Sequence, residues 1–176
     1  MVDEKKLLPV NMRELCWALD DSSFTINRYL DLETGEIVEQ IEFDDAYYDD
    51  NEEELEDPVS EMIEEDPDRF EYIDPLPSFE SYRHMEAFIP TVQDPHLKDL
   101  FVMAIDGRGA FKRFKDVLNR YPEEEERWSQ FKERKMMCIA MDFLDSIGVE
   151  PVGDRLRGAT APDGGESRHT PGEPCQ

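Results

Sequence analysis

The spacing of the apolar residues changes midway along the chain, and this change limits the folds that the sequence can adopt. Between residues 26 and 43, apolar and polar side chains alternate on both sides of a turn that contains Thr34 and Gly35. Alternation with a glycine in the turn predicts a β-hairpin. From Ser78 onwards, apolar residues recur at intervals of three and four, which is the spacing of a buried helical face. Strands followed by helices indicate an α+β fold.

The remaining elements follow from local start and stop signals. A third strand is predicted at 70–73, because the prolines at 75 and 77 cannot continue a β-ladder. Capping residues and prolines mark the helix starts, and glycines mark the helix ends. The predicted helices run from Asn11 to about Asp20, at 59–66, from Ser78 to Pro90, from Asp94 to Gly107, at 109–120 and from Pro122 to Ile147, with a last short strand at 149–152. We expect a small antiparallel sheet of about three strands, in the N-terminal half, to pack against about four C-terminal helices.

The chain is strongly acidic, and one stretch carries much of the charge. The formal net charge is −25 over 176 residues. Residues 31–66 contain eighteen Asp or Glu and no Lys or Arg. Because like charges oppose compaction, the part at about 44–57 is predicted to be an exposed acidic loop. A surface of this sign repels nucleic acids and anionic membranes, so the composition favours protein partners and disfavours nucleic acid.

The composition also predicts the domain limits and the compartment. Residues 1–152 are predicted to form a single domain, since their length suits one hydrophobic core. Residues 153–176 are rich in Gly, Pro, Ser and Thr, so we expect a disordered tail. No apolar run is long enough for a signal peptide or for a membrane span of about 18 residues. Together with the three scattered cysteines, these features predict a cytoplasmic protein without membrane contact. No pattern indicates an oligomeric state.

The most distinctive segment is a basic one at residues 107–118, with the sequence GRGAFKRFKDVL. On a helical wheel its apolar side consists of Phe111, Phe114, Val117 and Leu118, and the opposite side consists of Arg108, Lys112, Lys115 and Asn119. Between residues 107 and 135, nine Lys or Arg outnumber six Asp or Glu, which is a net charge of +3 in a chain of −25. The pattern predicts a basic stripe that aromatic side chains anchor from beneath.

Two interpretations of this segment are open. In the functional one, the stripe and the backbone N–H groups of the glycine-rich turn bind a phosphate, a nucleic acid or a partner protein. The candidate contact residues are Gly107, Arg108, Gly109, Lys112, Arg113 and Lys115. In the structural one, the two glycines form a close corner between helices, and the cations pair with the acidic hairpin. Carboxylates of the same molecule attract the cations before a dilute ligand does, which favours the structural interpretation.

The sequence lacks the known motifs for nucleotide, zinc and calcium binding. The sequence has no phosphate loop of the GxxxxGK[ST] type, and GRGAFK lacks the third glycine of a dinucleotide fingerprint. The three histidines are widely separated, no HExxH motif occurs, and His84 is predicted to be a boundary residue with satisfied hydrogen bonds. The acidic loop lacks the glycine that a calcium loop carries at its sixth position. We therefore expect no cofactor and no metal site, and no residue is identified as catalytic.

Several segments together resemble a bacterial protein family. They are MEAFIPTV at 85–92, AIDGRGAFKRFKDVL at 104–118, RW at 127–128 and FLDSIGVEP at 143–151, with the hairpin Glu33–Val38 as a less specific part. Over roughly residues 10–152, the chain is similar to uncharacterised protein family 0158 of the UPF series. The resemblance implies the family's fold. Because the family's activity is not established, the resemblance implies no catalytic residue.

The sequence thus favours a non-catalytic binding or regulatory module of the bacterial cytoplasm, which uses a basic helix face in an acidic protein. The alternative is nucleic-acid or nucleotide binding through the same Gly-Arg-Gly turn and basic stripe. A third function is a divalent-metal-dependent hydrolase that uses carboxylates of the acidic loop.

Overall fold

The structure, a computed structural model, describes residues 5–23, 25–41 and 58–153. The described part contains five strands, which are β1 (Lys6–Leu8), β2 (Ile26–Asp31), β3 (Ile37–Ile41), β4 (Phe70–Tyr72) and β5 (Val149–Pro151). Its six α-helices are α1 (Met12–Asp20), α2 (Pro58–Glu65), α3 (Ser78–Phe88), α4 (Pro95–Ile105), α5 (Ala110–Leu118) and α6 (Pro122–Ser146). These elements confirm the predicted α+β class. The predicted acidic loop at 44–57 and the predicted tail after Gly153 lie outside the described residues.

The predicted hairpin and third strand form one antiparallel sheet with the strand order β3-β2-β4. The hairpin turn is organised by the Asp31 side chain, which accepts hydrogen bonds from the backbone N–H groups of Glu33 and Thr34. Gly35 completes the turn with a φ of 79°. Arg69, just before β4, donates to the same carboxylate at 2.5 Å. This guanidinium holds the pKa of Asp31 well below its usual value, and the pair ties β4 to the turn.

A second, two-stranded sheet joins the two ends of the described chain. Its strands, β1 and β5, are parallel. The N–H of Lys6 donates to the carbonyl of Gly148, and the N–H of Val152 donates to the carbonyl of Leu8, both at 2.8 Å. The strand predicted at 149–152 is therefore present. Its partner β1 is not among the predicted elements, because three residues are too few to show an alternating pattern.

The three-stranded sheet, α1 and the C-terminal half of α6 enclose a first apolar cluster. Leu15 of α1, Leu30 of β2 and Leu144 of α6 are completely buried in it. Leu8 and Val149 extend the cluster to the two-stranded sheet. Through this cluster the sheet packs on α1 and α6.

The helices α3, α4 and α5 and the N-terminal half of α6 enclose a second apolar cluster, which is rich in aromatic side chains. The ring of Phe88 lies against those of Phe101, Phe114, Trp128 and Phe131, at centroid distances of 6.0, 6.2, 5.3 and 5.6 Å. Because α6 contributes to both clusters, it connects them. No helix in the described ranges, α6 included, has both the length and the apolar character needed to cross a bilayer.

The ends of several helices follow their predicted signals. The side chains of Asn11 and Asp94 accept hydrogen bonds from N–H groups in the first turns of α1 and α4, as expected of N-caps. Ser78, which was the predicted cap of α3, is instead its first helical residue, since Pro77 occupies the cap position. Pro90 lies in a single 3-10 turn that ends α3.

Candidate binding surface

The helices α4 and α5 meet at a tight corner that contains both glycines of the basic segment. Gly107 and Gly109 have φ values of 72° and 84°, in the left-handed region that glycine adopts at little cost. Gly107 follows the end of α4, as predicted, and Gly109 is the N-cap residue of α5. The backbone of the corner therefore requires both glycines, which agrees with this part of the structural interpretation.

The side chain of Arg113 closes the corner from the α5 side. Its Nε donates to the carbonyl of Ala104 at 2.9 Å. Its Nη atoms donate to the carbonyls of Asp106, Gly107 and Arg108. The planar guanidinium suits this set of acceptors, because the end of a helix leaves its last carbonyls without helical partners. A ligand that bound the Arg113 guanidinium would have to displace these hydrogen bonds.

The other cations of the basic segment can contact a ligand without breaking an ion pair. Arg108, Lys112 and Lys115 are exposed, and no ion pair in the described part of the chain includes them. The hairpin carboxylates pair instead with Arg28 and Arg69. Within residues 5–23, 25–41 and 58–153, the pairing between the basic stripe and the acidic hairpin is therefore absent.

Phe111 differs from its predicted position as an anchor beneath the stripe. Its side chain is 49% exposed, whereas Phe114 is 2% exposed and anchors α5. Around the helix, Phe111 lies about 40° from Lys115 but only about 20° from Leu118, which is buried, so its direction alone does not explain its exposure. Phe111 is exposed because the neighbouring helices leave a cleft beside it. Arg108 also differs from the prediction, since α5 begins at Ala110 and Arg108 belongs to the corner.

Beside Phe111, the helices α3, α5 and α6 leave a cleft of about 370 Å³. Its apolar lining includes Phe111, Phe114 and Trp128, and its charged lining consists of Lys115, Glu125 and Lys132. Lys132 pairs with Asp20 at 2.6 Å, whereas Lys115 has no ion pair with any described residue. The cleft thus combines aromatic surface with one available cation.

The model of the uncharacterised protein family UPF0158 matches residues 6–156. The chain belongs to the UPF0158 family. A relative, UPF0158 protein PA5073 from Pseudomonas aeruginosa, is 29% identical over 145 residues, which cover 82% of this chain and 87% of the relative. No solved structure matches the chain. The predicted family is therefore confirmed, and membership in UPF0158, which is described as uncharacterised, carries no activity over to this chain.

Two titratable side chains beside α6 have pKa values that burial shifts in this UPF0158 protein. Burial, with the carboxylates of Glu133 and Asp20, raises the pKa of the Cys16 thiol to about 11, so the thiol stays protonated at neutral pH. His84 is buried and its pKa is lowered, first by burial and then by Lys135. Its Nδ1 has no hydrogen-bond partner among the described residues, so the prediction of satisfied hydrogen bonds is wrong. Among the described residues, no three His, Cys, Asp or Glu side chains lie close enough together to form a metal site.

Sequence patterns do not reveal the cleft, because its walls come from three helices that are far apart in the UPF0158 chain. Ser81 lies on α3, Lys115 on α5 and Lys132 on α6. The apolar spacing places Trp128 on a core-facing side, and nothing in the sequence separates a fully enclosed ring from one that borders a cleft. The excess of Lys and Arg between residues 107 and 135 is the one sequence signal that points to this region.

Proposed function

We propose that this protein is a non-catalytic binding or regulatory module of the bacterial cytoplasm and that its partner is a protein. We define its contact surface, the basic face, as Arg108, Lys112 and Lys115 with the corner glycines Gly107 and Gly109. The observation that supports the proposal is that these three cations are exposed and without ion pairs in the described residues of a chain with a net charge of −25. Arg113 holds the corner in shape.

Electrostatics explain why such a face selects its partner. A ligand that binds unpaired cations breaks no existing ion pair, and its attraction to them grows as water is excluded from the contact. At physiological ionic strength, the field of a surface charge decays over about 8 Å. A partner with a compact acidic patch therefore senses mainly the basic face. A long polyanion also meets the acidic body around it, which favours a protein over a nucleic acid.

Nucleotide or nucleic-acid binding through the same face is the second candidate. It is supported by Gly109, which as the N-cap residue has no side chain to occupy the N–H groups in the first turn of α5. A phosphate at this end would accept hydrogen bonds from these groups. The metal-dependent hydrolase depends on carboxylates at 44–57, outside the described residues, and we do not propose it.

Charge reversal on the basic face tests the proposal. We expect the double substitution Lys112→Glu with Lys115→Glu to abolish co-purification of a defined partner protein from the native lysate, as measured by pull-down and mass spectrometry. The matched control is Lys6→Glu with Arg13→Glu, which makes the same change of charge at exposed positions on β1 and α1. The control variant should retain the partner.

Two results would contradict the protein-binding proposal. One is the same partner recovered with both double variants, or lost equally from both. The other is tight oligonucleotide binding that weakens steeply between about 50 and 200 mM salt and disappears only in the Lys112→Glu, Lys115→Glu variant, which would establish the second candidate.

A further inference from the structure

We infer that the cleft between α3, α5 and α6 receives an apolar side chain from an acidic segment of the partner protein. This inference rests on the proposed function and specifies the chemistry of the partner. The segment is a peptide in which an aromatic or aliphatic residue is flanked by Asp or Glu. The inference is supported by the exposed ring of Phe111, the exposed cation of Lys115 and the open cleft that both of them line.

The apolar part of this recognition comes from Phe111 and the cleft behind it. The side chain of Phe111 is 49% exposed, and covering it with an apolar group of the partner is favourable. The cleft of about 370 Å³ is at the small end of ligand pockets and suits one or two side chains. Phe114 and Trp128, with ring centroids 4.9 Å apart, belong to the packed second cluster. The cleft is therefore preformed, which limits the entropy lost on binding.

The charged part comes from Lys112 and Lys115, which are three residues apart on α5. Neither forms an ion pair within the described ranges. Lys132, which also lines the cleft, is already paired with Asp20. Glu125 is a further lining residue and repels an acidic group on its own side. The partner's carboxylates therefore lie toward α5, which fixes how the segment crosses the cleft.

A peptide fits this arrangement better than a single-stranded nucleic acid does. Bases could stack on the Phe111 ring, but the backbone of a nucleic acid carries a negative charge at every nucleotide. Those charges would meet Glu125 as well as the acidic body of the protein. A peptide instead places carboxylates only beside the cations and an apolar residue in the cleft.

A displayed library of random peptides tests the inference without a known partner. The library is selected on the wild-type protein and depleted on the variant with Phe111→Ala and Lys115→Glu. We expect the enriched peptides to contain an aromatic or aliphatic residue flanked by Asp or Glu. Enrichment of peptides without acidic residues, or no enrichment over the variant, would overturn the inference.

The affinity of an enriched peptide is then measured with Trp128 as the reporter. The chain contains two tryptophans, so Trp17→Phe leaves only Trp128, which lines the cleft. The peptide should shift its emission, and Phe111→Ala should weaken binding about tenfold, as at an interface hot spot. The control is Met103→Ala, which removes a side chain that is 63% exposed on α4 outside the cleft. It should change the affinity by less than about twofold.

The outcomes separate failure of this inference from failure of the proposed function. If Lys112→Glu weakens peptide binding and Phe111→Ala does not, the basic face binds its partner without the cleft, and the inference is wrong. If neither Lys112→Glu nor Phe111→Ala weakens peptide binding, the proposed function fails as well. If a single-stranded oligonucleotide shifts the Trp128 emission at a lower concentration than the peptide does, the occupant is a nucleic acid and the peptide is excluded.

Discussion

His84 is a buried side chain whose Nδ1 has no hydrogen-bond partner among the described residues. Burial lowers its pKa below the usual 6.5, and Lys135 and Lys132 lower it further, while Glu80 and Asp20 act in the opposite direction. The folded protein therefore keeps the imidazole neutral at pH values at which the unfolded chain takes up a proton.

We predict that His84 makes the protein less stable as the pH falls below about 6.5. In this range the unfolded state binds more protons than the folded state, so the free energy of unfolding decreases until the folded-state pKa is passed. Urea denaturation between about pH 7 and pH 5 should show a smaller decrease for His84→Gln than for the wild type. The control is His96→Gln, which removes a histidine at an exposed position. Equal slopes in all three proteins would exclude His84 as the source.

At the scale of secondary-structure elements, the corner between α4 and α5 offers a matched pair of substitutions. Because both glycines have positive φ values, alanine at either position costs about 1–2 kcal/mol. At Gly107 nothing lies within 4 Å of an added Cβ, whereas at Gly109 the Nη1 of Arg113 would lie 3.2 Å away. We predict that Gly109→Ala lowers the free energy of unfolding by about 1 kcal/mol more than Gly107→Ala, since the guanidinium must loosen its hydrogen bonds to the carbonyls.

A double-mutant cycle measures this coupling. Chemical denaturation of both alanine variants is repeated in an Arg113→Ala background. Without the guanidinium, the two alanine substitutions should lower the free energy of unfolding equally. If the difference between Gly107→Ala and Gly109→Ala persists there, Arg113 is not its cause.

Whether an element can be predicted from the sequence depends on where its stabilising contacts lie. The caps Asn11 and Asp94 are predictable, because each side chain accepts from N–H groups two and three residues away. The strand β1 is not, because Lys6, Leu7 and Leu8 show no alternation of apolar and polar side chains and only the distant β5 holds them in a strand. Phe111 is misplaced because a helical wheel gives a direction around α5 and not the neighbouring elements that cover it. The cleft escapes prediction for the same reason, since three separate helices form it.

At the scale of the whole molecule, β1 contributes Leu8 to the first apolar cluster. Two neighbouring leucines test how much this contact stabilises the fold. Leu8 is 3% exposed and belongs to the cluster, whereas Leu7 is 60% exposed on the other face of the strand. We predict that Leu8→Ala lowers the free energy of unfolding by about 2–4 kcal/mol, because it leaves a cavity. Leu7→Ala should change it by less than about 0.5 kcal/mol. Similar losses in urea denaturation of the two variants would mean that the cluster does not anchor β1.

The parallel pairing of β1 with β5 also implies an order of assembly during translation. β1 leaves the ribosome first of these strands, but residues 149–151, with which it pairs, are synthesised after every other described element. The helices α3, α4 and α5 make contacts that are close in sequence, so they can pack once the first turns of α6 have left the ribosome. A released chain that ends before residue 149 would therefore keep every residue of the basic face but leave its N-terminal strand without a partner.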